Sequence, residues 1–492
     1  MAPYYRKFQT YNPPSEASKA SLGVDYIDDS IQGSSGPIKS SYPDFVGTLV
    51  KAWPETFKNL GWNVTGDPIS GTSIGGFSGP YTVDPKERVR SHAGNEYYSP
   101  VAERPNLHLL TEVMVEKIIL KEAKGEKGVT SVTATGVYYM KNGQQHAAKA
   151  RKEVILAAGV FQTPQLLELS GIGSSRILNN HGINVIVNNP NVGENLQDHC
   201  MTGICVQVKD EVPTGDMRRD PDFLKAAKEL YEKHRTGPLT AGFPSFAFMP
   251  LAGWAPDSGE PIAKVLDKHL NYNSHPETRP SQQEQYACLR SIIESSNEAS
   301  IQLCLGASQV HFDKSTYIDV FSVTQPGNYL ALLVSLPHPF SHGYVHINSN
   351  SSTDLPTLDP RFMSHPLDSE IMGRHMMALE KIVATEPMLS LVKPGGQRLP
   401  LGSDLSTLES AKEHCRRNLR STSHPCGTCA MLPQDKGGVV DSNLKVYGVK
   451  GLRIVDASIF PMVPRGNIQS TVYAVAERVA DLVKKEWHLE CN

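Results

Sequence analysis

Val154-Ile-Leu-Ala-Ala158 runs without a polar break into Gly159, and a helix signal over Thr163 to Leu169 follows at once. A strand that feeds a helix through one glycine turn commits this part of the chain to helix-on-sheet layering. Gly171 and Gly173 then stop the helix. Small residues at the turn let a flat ligand approach the backbone, and the first helical turn offers N–H groups that have no partner inside the helix. An ordinary strand-to-helix packing turn would read the same from Ala-Ala-Gly alone, so this spacing leaves open both a packing turn and a site for some ligand.

The surrounding chain is mixed in texture. Its 492 residues exceed what one hydrophobic core organises, so two packed domains are expected. Residues 1 to 96 are rich in Gly, Ser, Pro and Tyr, with one amphipathic helical stretch, Asp44 to Leu60, and little core is expected there. From Asn106, LHLLTEVMVEKIIL and then VTSVTATGVYYMKNGQQHAAKARKEVILAAG read as strands, with Asn142-Gly143 as a hairpin turn. Between 206 and 340, polar helical segments such as Pro221 to His234 alternate with Gly/Pro breaks and strand-like runs, notably Tyr329 to Leu336. The tail Ser470 to Trp487 places Val472, Val475, Ala476, Val479, Ala480, Leu482 and Val483 on one helical face, with Lys484 and Lys485 at its carboxyl end.

Charge excludes some partners. A net charge of -3 from 48 basic and 51 acidic residues, without a long single-sign run, gives no electrostatic support to nucleic acid or an anionic membrane. No apolar stretch approaches the roughly 20 residues of a membrane span, the best being Tyr329 to Pro337. The start, MAPYYRKFQTYNPP, has no apolar centre of the secretory kind, so a cytoplasmic location is expected for the chain as written. Eight scattered cysteines suit buried thiols better than a disulfide scaffold. Cys426-Gly-Thr-Cys429 lacks the thioredoxin-like setting of a redox dithiol, and His338, His342 and His346 lack the partners of a closed metal site, so no metal is expected.

AAGVFQTPQLLELSGIG (Ala157 to Gly173) with ILNNHGINVIVNNPNVGENLQDH (Ile177 to His199) resembles the second signature region of glucose-methanol-choline (GMC) oxidoreductases. The block from Ser423 to Val483, opening SHPCGTCAMLPQDKGG, resembles the family's carboxyl-terminal flavin and active-site region. Ser341 to Met372 resembles the stretch leading into that block, and RPNLHLLTEVMVEKI, Arg104 to Ile118, resembles a family strand. The resemblance implies an α/β plus antiparallel-sheet fold, with a split FAD-binding domain and a substrate-binding domain. The expected segments are 1–205 as the amino-terminal region, 206–340 as the substrate domain, and 341–492 as the carboxyl-terminal region with the active site. It also implies FAD as cofactor. Val115 would touch the adenine end, Asp456 and Ala457 would lie beside the phosphate and ribityl chain, and the backbones of Ile468 and Gln469 would approach the ring.

The same likeness makes His424 the catalytic histidine and Asn467 its partner. Elementary chemistry agrees. Oxidising an alcohol requires a proton to leave the hydroxyl as hydride leaves carbon, and an imidazole with a pKa near 6.5 is a suitable base. An amide cannot serve as that base, but it can donate to the substrate oxygen and hold the alcohol in line. The expected reaction is oxidation of a primary or secondary alcohol to a carbonyl with hydride transfer to FAD, and the partners are that small alcohol and an electron acceptor, oxygen or another carrier. Overall likeness points to an aromatic or polyketide-type alcohol of secondary metabolism. A non-redox lyase or cyclase on the same fold and an inactive truncated homologue are the alternatives.

One departure qualifies the resemblance. The family's opening strand, G-x-G-x-x-G turn and helix are not found, and Gly71 to Gly79 (GTSIGGFSG) follows no apolar strand and is read as a loop. A chain lacking the amino-terminal dinucleotide-binding segment, with an incomplete Rossmann unit, is therefore expected.

Overall fold

The computed structural model describes residues 1–124, 130–256, 259–271 and 280–489. Val129, the first residue of the expected strand block, lies outside them.

One core is built on a seven-stranded antiparallel sheet in the order Arg398–Leu399, Cys200–Val208, Asn328–Ser335, Ile301–Gly306, Ser245–Met249, Gly75–Ser78, with Arg420–Ser421 also paired to Cys200–Val208. Its central strands are buried on both faces, which explains why CMTGICVQV and NYLALLVS read as nearly unbroken apolar runs. Side chains alternate across the sheet. Ile204, Val206, Leu330 and Leu332 join the large core, where Ile371, Met372, Met376 and Leu379 of helix Pro366–Val383 cover them. Cys205, Tyr329 and Ala331 face the other way, onto Phe312 and Val310.

The second core surrounds a parallel pair, Val154–Leu156 beside Leu452–Ile454, and an antiparallel meander of Met114–Lys124, Thr130–Lys141 and Gln144–Lys149. Helix Gly159–Leu169 and helix Gln469–Glu486 close it, the latter through Val472, Val475, Val479 and Val483. These two elements carry the residues of interest.

Several sequence expectations are refined. The first of these helices begins at Gly159 (φ 80°), a turn before Thr163. Pro164 inside it has no N–H for the Val160 carbonyl four residues back, and the Thr428 hydroxyl donates there instead at 2.7 Å. The hairpin turn falls on Asn142 and Gly143, both at positive φ. The strand expected from Asn106 starts only at Met114, because Leu107, Leu109 and Leu110 are exposed and outside any strand. In the final helix Ala476 and Ala480 face outward, while Ala474 is buried with Phe8 and Ile38. The reason is helix Ala2–Lys7, which docks on that side through Lys7 to Glu477 and Asp481 and through Phe8 stacked on Tyr473. Residues 1 to 96 thus supply more core than their composition suggests, including Trp53 and Phe57 of helix Thr48–Asn59.

The expected boundary at 205/206 falls inside strand Cys200–Val208, and helices Pro366–Val383 and Leu408–Asn418 cover the large sheet although they lie within the 341–492 segment. Tertiary cores here cross sequence boundaries. No helix among the described residues is long and apolar enough to cross a membrane.

Candidate active site

His424 sits in the loop after Arg420–Ser421, and this loop is zipped along residues 197 to 201. Ser421 and Arg420 pair with Cys200 and Met201, Thr422 N–H donates to the His199 carbonyl, and Gln197 and Cys426 exchange backbone hydrogen bonds. The buried Asp198 carboxylate accepts the His424 backbone N–H at 3.0 Å and the Ser421 hydroxyl. Burial pushes that carboxyl up to about 6, against the opposing pull of its hydrogen bonds. Gly427 follows at φ 97°, where a Cβ would stand 2.4 Å from the Asn195 carbonyl oxygen.

Asn467 reaches the same point from the opposite side. It ends the loop from Pro461 to Gly466, directly before helix Gln469–Glu486. That loop is clamped: the Pro461 carbonyl accepts from Gln197, Gln285 and Asn195, Val463 N–H donates to Gln197, and His338 Nδ1 lies 3.1 Å from the Val463 carbonyl. Arg465 pairs with Glu298 and lies over the Phe248 ring. The outcome is an Asn467 Nδ2 to His424 Nε2 distance of 3.2 Å at a solvent-facing position.

The imidazole's other nitrogen, Nδ1, is 2.9 Å from Thr422 Oγ1 and 3.0 Å from Nδ1 of His199. Burial lowers His424 to about 4, so it is unprotonated and basic through the neutral range. His199 goes lower, to about 3, through burial and the neighbouring His424 and His338. A neutral histidine with one solvent-facing ring nitrogen beside an amide donor can take a proton from a hydroxyl bound against both.

The other residues singled out from the sequence fall in two places. Val115 lines a groove of about 430 Å³ with Val154, Ile155, Ala157, Ala158 and Leu166, at the open side of strand Val154–Leu156. Ile155 is 45% exposed there. Small and apolar walls fit a flat, extended cofactor, and Ala158, the residue before the adjoining helix, provides no side-chain cap of its own. Asp456 connects this groove to the loops. One carboxylate oxygen accepts from Gly159 N–H (3.0 Å) and the Thr163 hydroxyl (2.6 Å), and the other caps Ser458 N–H (2.8 Å). Both oxygens are therefore engaged within the protein. Ala457 and Ile468 are buried, and exposed Gln469 accepts from the Thr82 hydroxyl at 3.0 Å.

Sequence reasoning assigned no role to Asn195, Gln197, Asp198 or His199, although it quoted them. The available signal was polarity out of place: four polar side chains directly precede a strand that is buried almost throughout. Cys426 and Cys429 are buried free thiols whose pKa values burial drives well above the usual range, unlike a reactive dithiol. Among the described residues no group of three or more His, Cys, Asp or Glu is arranged to hold a metal ion.

Comparison with known proteins agrees with this architecture. Two profiles described as GMC oxidoreductase match residues 15–201 and 339–476. The chain is 30% identical to dehydrogenase mpl7 of Monascus purpureus, over 99% of this chain and 77% of that protein. It superposes on an FAD-dependent oxidoreductase from Chaetomium thermophilum with a TM-score of 0.85 and 30% identity, covering 99% of this chain and 80% of the other. A fungal aryl-alcohol oxidase gives 0.81 and 27%, covering 99% and 79%. The expectation of a missing amino-terminal segment and an incomplete Rossmann unit is not supported, since the family's amino-terminal profile matches from residue 15. A single glycine spacing reports one local turn, whereas the match follows the strands and helix that build the second core. The loops that bring His424 to Asn467, and the groove that unites Val115 with Ala157 and Ala158, are thus those of a chain that belongs to the GMC oxidoreductase family of FAD-dependent flavoproteins.

Proposed function

We propose that this protein oxidises a primary or secondary alcohol to a carbonyl, with His424 as the base and Asn467 as the group that holds the substrate oxygen. The observation that carries the reading is the 3.2 Å approach of Asn467 Nδ2 to His424 Nε2 in an open position. A substrate hydroxyl seated against both would donate to Nε2 and accept from the amide in place of their direct contact, and burial keeps the imidazole unprotonated and ready. FAD, when bound, supplies the hydride acceptor. The groove lined by Val115, Ala157 and Ala158 suits the adenine end, Ala457 precedes the loop that carries Asn467, and Ile468 and Gln469 follow Asn467 at the start of the final helix. Asp456 would act at the cofactor by holding the Gly159 turn.

Likeness to a protein named as an aryl-alcohol oxidase favours an aromatic alcohol, and likeness to proteins named as dehydrogenases favours a carrier other than oxygen as the final acceptor. The test is anaerobic reduction of the FAD-loaded protein by a benzylic alcohol, followed through loss of flavin absorbance. His424→Ala should slow reduction by about 10²- to 10⁴-fold. The wild-type rate should be flat above about pH 6 and fall on acidification towards the His424 value near 4. Near-normal reduction by His424→Ala would reject the base assignment. A wild-type flavin that stays oxidised with every alcohol offered would favour the non-redox lyase alternative.

A further inference from the structure

We infer that His199 is a positioning residue that, together with Thr422, fixes the tautomer of His424, so that the lone pair of His424 Nε2 faces Asn467 and solvent. This rests on the proposed role of His424 as base. One placement of protons satisfies these contacts together. Thr422 Oγ1 lies 2.9 Å from the His199 carbonyl oxygen, which can only accept, so the hydroxyl proton points there. Oγ1 then presents a lone pair to His424 Nδ1, 2.9 Å away, and Nδ1 must carry a hydrogen.

With that hydrogen in place, His199 Nδ1, 3.0 Å from the same atom, must be the acceptor. The two rings meet edge-on, with centroids 5.1 Å apart and planes at 89°. His199 therefore holds its own proton on Nε2, a fully buried atom without a partner of good geometry, and the ring's remaining polar neighbours are the carbonyls of Pro337 and Pro464. Those carbonyls accept and cannot donate. The Thr422 hydroxyl thus ends on a backbone oxygen, and His424 Nε2 turns its lone pair to the Asn467 amide, which donates to it until a substrate hydroxyl takes its place.

Burial and the repulsion of His424 and His338 keep His199 neutral, which an acceptor must be. The other ionisable groups around the pair are Asp198, which binds the His424 backbone rather than its ring, and Arg465, which acts on His338. When the substrate proton reaches Nε2, the Nδ1–H bond to His199 becomes charge-assisted and stabilises the imidazolium. The tautomer follows from the two contacts at His424 Nδ1, and His199 is the one that gains strength when the ring is protonated.

The experiment uses the FAD-loaded full chain and a benzylic alcohol, with flavin reduction as the readout. An asparagine side chain can place an amide oxygen where Nδ1 stands, whereas glutamine places its polar end near Nε2. His199→Asn should therefore reduce flavin within about threefold of wild type, while His199→Gln and His199→Leu should be about 10- to 100-fold slower at saturating alcohol, with KM little changed. In a His424→Ala background, His199→Leu should cause no further loss, because the positioned group is gone. Equal rates for the Asn and Gln variants, or a full additional loss in that background, would overturn the inference. Unimpaired His424→Ala would instead overturn the proposed base, so the two failures are distinguishable.

Discussion

Replacing His346 by leucine should destabilise the protein by an amount that depends on pH in a defined direction. His346 Nδ1 lies 2.8 Å from Glu168 and Nε2 lies 3.4 Å from Glu194, joining helix Gly159–Leu169 to strand Gly343–His346. Burial opposes the imidazolium, but hydrogen bonds to Glu168 and Glu194 outweigh it and raise His346 to about 9. A raised histidine contributes stability that is fully present below its unfolded value near 6.5 and is lost as pH climbs through the folded value. At about 1.4 kcal/mol per pKa unit the charge-linked part is about 3 kcal/mol. Unfolding entropy of about 2.1 cal/mol/K per residue makes 1 kcal/mol worth about 1 °C in a chain this long. The thermal midpoint gap between wild type and His346→Leu, measured by circular dichroism on FAD-loaded protein, should thus narrow by about 3 °C from pH 6 to pH 10. A residual gap should persist, since neutral His346 still donates to fully buried Glu168, whose other oxygen takes Ile347 N–H. A gap of equal size at both pH values would refute the charged pairing.

Three further outcomes follow from the geometry. Asp456→Ala removes three hydrogen bonds, two that tie the Gly159 turn to the carboxyl-terminal block and one that caps Ser458, and it should cost about 3 kcal/mol in urea unfolding and weaken FAD retention together; an unchanged unfolding midpoint would count against this tie. Gly427→Ala forces a Cβ to 2.4 Å from the Asn195 carbonyl at a positive φ, so the His424 loop must shift and flavin reduction should slow at least tenfold; wild-type kinetics would show that the loop tolerates the shift. Iodoacetamide on the native protein should alkylate exposed Cys288 and spare Cys426 and Cys429, which mass spectrometry of peptides reads directly; modification of either of the latter before unfolding would contradict their buried state.

Local chemistry made much of this protein legible in its sequence. The helix Pro221–His234, the turn at Asn142-Gly143 and the strand-turn-helix around Gly159 each depend on near-neighbour signals: a proline at the first helical position, two residues that accept positive φ, an apolar run ended by glycine. The pairing of His424 with Asn467 came from resemblance, because residues 43 positions apart have no local signal of contact. Only the tertiary structure decided what surrounds them. His199 reaches His424 across 225 positions because strand Cys200–Val208 and the segment Arg420–Ser421 pair in one register. Asp456, expected from resemblance beside the cofactor's phosphate and ribityl chain, caps Ser458 and holds Gly159, since a carboxylate buried at that junction must satisfy its oxygens with whatever donors the fold brings near. Local propensity fixes elements, whereas burial and pairing register determine which polar groups must satisfy one another.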